Sequence, residues 1–208
     1  MTAEVVTRTQ HLQRGILLEY LTIGWNIIEG IVAIASGAIS GSIALMGFGI
    51  DSFIETSSGA VLLWRLRAEG HGQDAEMVER KAVKLVGVSF LLLAAYVGVD
   101  SIKTLVETQE PERSVIGIGI AVLSLIVMPW LAYQKRKAAG NLKSASLHAD
   151  SRQTSLCAYL SVILLGGLLL NALFGWWWAD PIAALAMIPI IVKEGLEALK
   201  GKACADCH

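Results

Sequence analysis

Two carboxylates stand four residues apart inside an otherwise apolar stretch, Asp51 and Glu55 in the segment Gly41 to Glu55. On a helix that spacing puts both side chains on one face, about 5–6 Å apart. Two like charges in a low-dielectric setting repel, so one must be protonated or a cation must sit between them. That is the chemistry of a site that takes a divalent cation and exchanges it for protons. The competing reading is that both acids hydrogen-bond to neighbouring helices and serve packing alone. Gln153 and Cys157 repeat the same spacing and offer an amide oxygen and a thiol. Together the two pairs supply four donors, the number a tetrahedral zinc site uses. Taken alone, Cys157 equally suits the role of a small buried hydrophobe.

Other polar groups sit where they are costly or at the segment mouths. Glu29 falls in the middle of an apolar segment. A charge at such depth costs about 2.5–3.5 kcal/mol on insertion scales and commonly marks a transport path. It would line the ion's route or carry protons, or else form a structural hydrogen bond to Asn26 or a neighbouring helix. His148 and Asp150 precede Gln153 and would be a loading site, or an interfacial residue and a helix cap. His71 shares a polar loop with Asp74, Glu76 and Glu79, which reads as a peripheral metal site or simply a solvated loop. Cys204, Cys207 and His208 end the chain in a Cys-x-x-Cys-His pattern that superficially matches haem attachment. A metal-capturing tail, a redox dithiol and an inert terminus are the alternatives there. Asp180-Pro181 has the form of a helix start, aspartate capping and proline in the first turn.

The elements that must position these groups are membrane helices. Of 208 residues 54% are hydrophobic and only 17% charged, against about 25% charged in soluble domains. Apolar segments run over 16–38, 43–64, 82–106, 115–134, 153–175 and 179–199. About 20 helical residues cross a hydrocarbon core of about 30 Å. The expected architecture is therefore all-α and polytopic, with a 1–15 N-terminal segment, a six-helix domain over 16–199 and a short 200–208 tail. The turn Ser40-Gly41-Ser42 forces the first two helices into an antiparallel hairpin. Residues 1–15 lack the apolar core of a signal peptide.

Basic residues sort by side. Arg8 and Arg14, the loop with Arg65, Arg67, Arg80, Lys81 and Lys84, the loop with Lys135, Arg136, Lys137 and Lys143, and Lys200 and Lys202 all fall on one side. The opposite side carries Glu107, Glu110, Glu112 and the lone Arg113. The positive-inside rule then puts both termini in the cytoplasm. Trp176, Trp177 and Trp178 read as an interfacial belt, and small residues such as Gly30, Gly49, Gly59 and Gly167 as close helix contacts. A net charge of −1 gives no footprint for nucleic acid. No His-Glu-x-x-His or similar catalytic motif points to an enzyme, and Cys157, Cys204 and Cys207 make no disulfide framework.

These residues resemble the cation diffusion facilitator family of divalent metal/proton antiporters. Gly41 to Glu55 is similar to the family's Gly-Ser…His/Asp-x-x-x-Asp segment, with the two metal positions falling on Asp51 and Glu55. Ala149-Asp150 opens a segment similar to Ala-Asp-x-x-His-x-x-x-Asp, with the ligand positions on Gln153 and Cys157. Trp178-Ala-Asp180-Pro181 opens the sixth helix as family members commonly do. The resemblance implies export of a divalent cation from the cytoplasm across a bacterial inner membrane in exchange for protons. It also implies a homodimer held in lipid, and no cofactor beyond the transported ion. Three departures stand out: the histidine and aspartate are replaced by Gln153 and Cys157, the second aspartate is the longer Glu55, and a short form without the cytoplasmic metal-sensing domain is expected. A thiolate at Cys157 would favour zinc, cadmium or another soft-tolerant ion over magnesium or calcium, with zinc first, and iron, manganese and cobalt also in range. The alternative is a membrane protein that binds or senses metal, or scaffolds a partner, without moving the ion.

Overall fold

A computed structural model describes residues 2–67, 73–142 and 144–200, with their side chains except at 2–9, 65, 66, 73–80, 82, 145, 146 and 149. The described residues form six helices: α1 (Thr2–Ser40), α2 (Ile43–Arg67), α3 (Gln73–Glu107), α4 (Val115–Leu142), α5 (Ala145–Phe174) and α6 (Ala179–Leu199). The protein is an all-α, multi-pass membrane protein. Stretches in α1, α3, α4 and α5 are long and apolar enough to span by composition alone. The other two are long enough, at 25 and 21 residues, but charged side chains interrupt them: Asp51 and Glu55 in α2, Lys193, Glu194 and Glu197 in α6.

The helices outrun their apolar windows. Helix α1 is continuous from Thr2, so the described part of residues 1–15 is helical. Helix α4 runs on to Leu142, past the apolar segment that ends at 134, and α5 starts at Ala145, ahead of the apolar segment that begins at 153. Hydropathy marks where lipid lies, whereas a helix continues until its backbone is capped. Ser144 supplies such a stop, its hydroxyl accepting from the Leu147 N–H at 3.4 Å. Gly41, at φ 69°, takes the left-handed conformation that closes α1 and reverses the chain. Asp180 does not cap its own helix, contrary to the form of its local sequence. Helix α6 has no side-chain cap, and Asp180 instead caps α2.

Helices α1, α2, α5 and α4 pack in a ring as a four-helix bundle, and α3 and α6 form a pair set against α2 and α5. A Cβ at Gly87 would stand 2.9 Å from the Gly195 carbonyl oxygen, so α3 and α6 meet backbone to backbone. The three connections at one end are tied together: Glu112 N–H donates to the Ser40 carbonyl at 2.7 Å, and Asn171 to the Pro111 carbonyl at 2.9 Å. Large apolar side chains such as Leu92, Val99, Val106 and Ile126 face outward. That is what lipid-facing helices present, since every backbone group is already satisfied within the helix.

Candidate metal site

Helix α2 buries Asp51 and Glu55, and α5 buries Cys157 with Gln153 one turn before it. These four side chains line one small, partly open cavity. Phe90 of α3 and Glu194 of α6 close its far wall, so the cavity lies on the seam between the bundle and the α3–α6 pair.

The donors share the cavity without closing on one point. Glu55 Oε1 accepts from the Thr154 hydroxyl at 2.9 Å, while its buried Oε2 has no hydrogen-bond partner. Gln153 Oε1 accepts from Ser58 at 3.1 Å, and its Nε2 is likewise buried without a partner. Among the described residues, no three His, Cys, Asp or Glu side chains stand close enough together to hold an ion. A buried polar atom with no partner costs about 1–3 kcal/mol, and more when it is charged. A cation is one group that would satisfy Glu55 Oε2.

Glu29 faces the bundle interior and is not among the cavity-lining residues. Fully buried, it accepts from Ser52 at 3.0 Å and Trp25 at 3.3 Å and lies 3.9 Å from the Cys157 sulfur. Its partners on neighbouring helices thus include Ser52 of α2 and the Cys157 thiol of α5, whereas Asn26 is buried with neither amide atom bonded. His148 is exposed, and Asp150 is buried. His71, Cys204, Cys207 and His208 lie outside the described residues.

Asp150 is no open loading site, because it pairs with Lys135. Lys135 also stands 3.2 Å from Glu19 and donates to Thr154 at 3.4 Å. Lys135, expected in a basic loop, is fully buried on α4. A buried cation is tolerated only when paired and hydrogen-bonded, and two carboxylates from α1 and α5 meet that need. The signal was present in the sequence as two polar stripes at helical spacing. Glu19, Thr22, Asn26 and Glu29 follow one face of α1, and Asp150, Thr154, Cys157 and Ser161 one face of α5, all buried. Through Thr154, the Lys135 cluster is continuous with Glu55.

Six membrane helices bring two pairs of polar side chains to one cavity, and comparison with known proteins identifies the family. The chain belongs to the cation efflux family, whose transmembrane domain matches residues 20–203. It is 27% identical over 199 residues to the cadmium, cobalt and zinc/H(+)-K(+) antiporter of Bacillus velezensis, covering 89% of this chain and 60% of that one. It is 24% identical over 169 residues to the cation-efflux pump FieF of Shewanella oneidensis, covering 76% and 55%. An uncharacterized transporter of Synechocystis sp. is 24% identical over 173 residues, covering 80% and 56%. The chain thus spans just over half the length of these relatives.

Proposed function

We propose that this protein exports a divalent cation, zinc first, from the cytoplasm in exchange for protons. The observation that carries the proposal is the single cavity shared by Asp51, Glu55, Gln153 and Cys157. The cation sheds water against the two carboxylates and the thiol, Glu55 turning from Thr154 into the cavity. It leaves on the opposite side as protons take its place on the carboxylates. Thr154 keeps a partner when Glu55 turns away, because its hydroxyl is also 3.2 Å from the Asp150 carbonyl. A soft sulfur beside hard oxygens suits zinc and cadmium better than magnesium or calcium. The names of two relatives, a cation-efflux pump and a cadmium, cobalt and zinc antiporter, support the same substrate class. Cytoplasmic termini, a bacterial inner membrane and a homodimer belong to this reading through the distribution of basic residues and the family.

The test is metal-stimulated proton movement in proteoliposomes across zinc, cadmium, manganese, iron and cobalt. Wild-type protein moves both metal and protons, and Asp51→Ala, though inserted and folded, moves neither. Near-normal flux in Asp51→Ala would sink the mechanism. Wild-type protein that binds metal yet moves neither metal nor protons would favour a sensor or scaffold.

A further inference from the structure

Glu194 is the one cavity-lining carboxylate, among the described residues, that comes from the α3–α6 pair. It is half-buried, and the charged groups within its electrostatic reach are Glu197, Arg152, Lys193, Glu55 and Asp51. Its neighbour Glu197 is differently placed, pairing along the helix with Lys193 at 3.9 Å on the exposed face. The bundle brings only two carboxylates to the cavity, since positions 153 and 157 carry an amide and a thiol. The amide oxygen is already engaged by Ser58. Glu55, 3% exposed, meanwhile presents a carboxylate oxygen with no partner to this same space. The cavity therefore has an unpartnered carboxylate oxygen on its α2 wall and a second carboxylate on its α6 wall.

We infer that Glu194 is a direct donor to the transported divalent cation, contributed by α6. This rests on the export reading above and adds a residue to its site. With Glu194 included, the donors straddle the seam between the four-helix bundle and the α3–α6 pair. A bound cation then bridges the two packing units, and their relative position depends on whether the ion is there.

Calorimetric titration of the purified chain in detergent with Cd2+ tests this, in wild type, E194Q, E194D, E194H, E197Q and D51A. E194Q weakens Cd2+ binding by about tenfold, equivalent to about 1.4 kcal/mol, while E197Q binds as wild type. E194D withdraws the carboxylate by one methylene but keeps its charge, so its affinity also falls if the group touches the ion. E194H returns a metal-binding nitrogen and recovers affinity that E194Q loses, which a purely structural role would not allow. Wild-type affinity in E194Q and E194D overturns the inference. If D51A loses binding in that same series, the export reading still stands. A wild-type chain that binds no Cd2+ or Zn2+ overturns both.

Discussion

Asp180 and Ser42 lie 138 positions apart and hydrogen-bond at the junction of α6 with α2. One carboxylate oxygen of Asp180 accepts from the Ser42 hydroxyl, and the other from the N–H groups of Ile43 at 2.9 Å and Ala44 at 3.4 Å. The first N–H groups of a helix have no partner within it, and a carboxylate there also complements the helix dipole. The helix that carries Asp51 and Glu55 is thus fixed in height by a residue of the helix that carries Glu194. Hydrogen bonds to a charged group are worth about 1.5–3 kcal/mol. Asp180→Ala should lower the unfolding temperature in detergent clearly, and Asp180→Asn, which retains an acceptor, by less. Equal melting of Asp180→Ala and wild type would show that the cap contributes nothing.

Lys135 offers a second test, because the sign of the effect depends on how many charges are removed. Lys135→Met leaves Glu19 and Asp150 buried without their cation, and breaking such a pair costs about 3–5 kcal/mol. Neutralising all three residues together, as E19Q, K135M and D150N in one chain, removes the uncompensated charge and should recover most of that loss. Thermal unfolding of the single and triple variants decides it. A triple variant no more stable than K135M would show that the cluster's charges are not what the core depends on.

Selectivity should follow the sulfur at Cys157. Cys157→Ser keeps the size and polarity of the side chain but replaces a soft donor with a hard one. Competition binding should show cadmium and zinc losing ground to manganese in C157S relative to wild type. An unchanged order of preference would remove the thiol from the set of donors.

The helices and the shared faces of the two polar pairs were readable because both follow from local rules. Apolar length marks a span, and i,i+4 spacing puts Asp51 with Glu55 and Gln153 with Cys157 on shared faces. Residues whose meaning depends on a distant partner were not readable. Lys135 looks like a loop base until Glu19 and Asp150, 116 and 15 positions away, come beside it. Asp180 has the local form of a cap for α6, and only the fold shows that it serves α2. Glu194 sits near the end of the sixth apolar segment, and no local pattern marks it out. Its place in the cavity is set by how closely α6 lies against α2 and α5.

The chain between α5 and α6 gives this architecture an optical label of its own. The rings of Trp176 and Trp178 lie 5.1 Å apart and 18° from parallel, immediately before the residue that caps α2. Indoles stacked this closely have coupled electronic transitions, so the pair should contribute a circular dichroism band that depends on the angle between the rings. A shift of α6 against the bundle that turns this connection would change that band with no dye attached and no cysteine introduced.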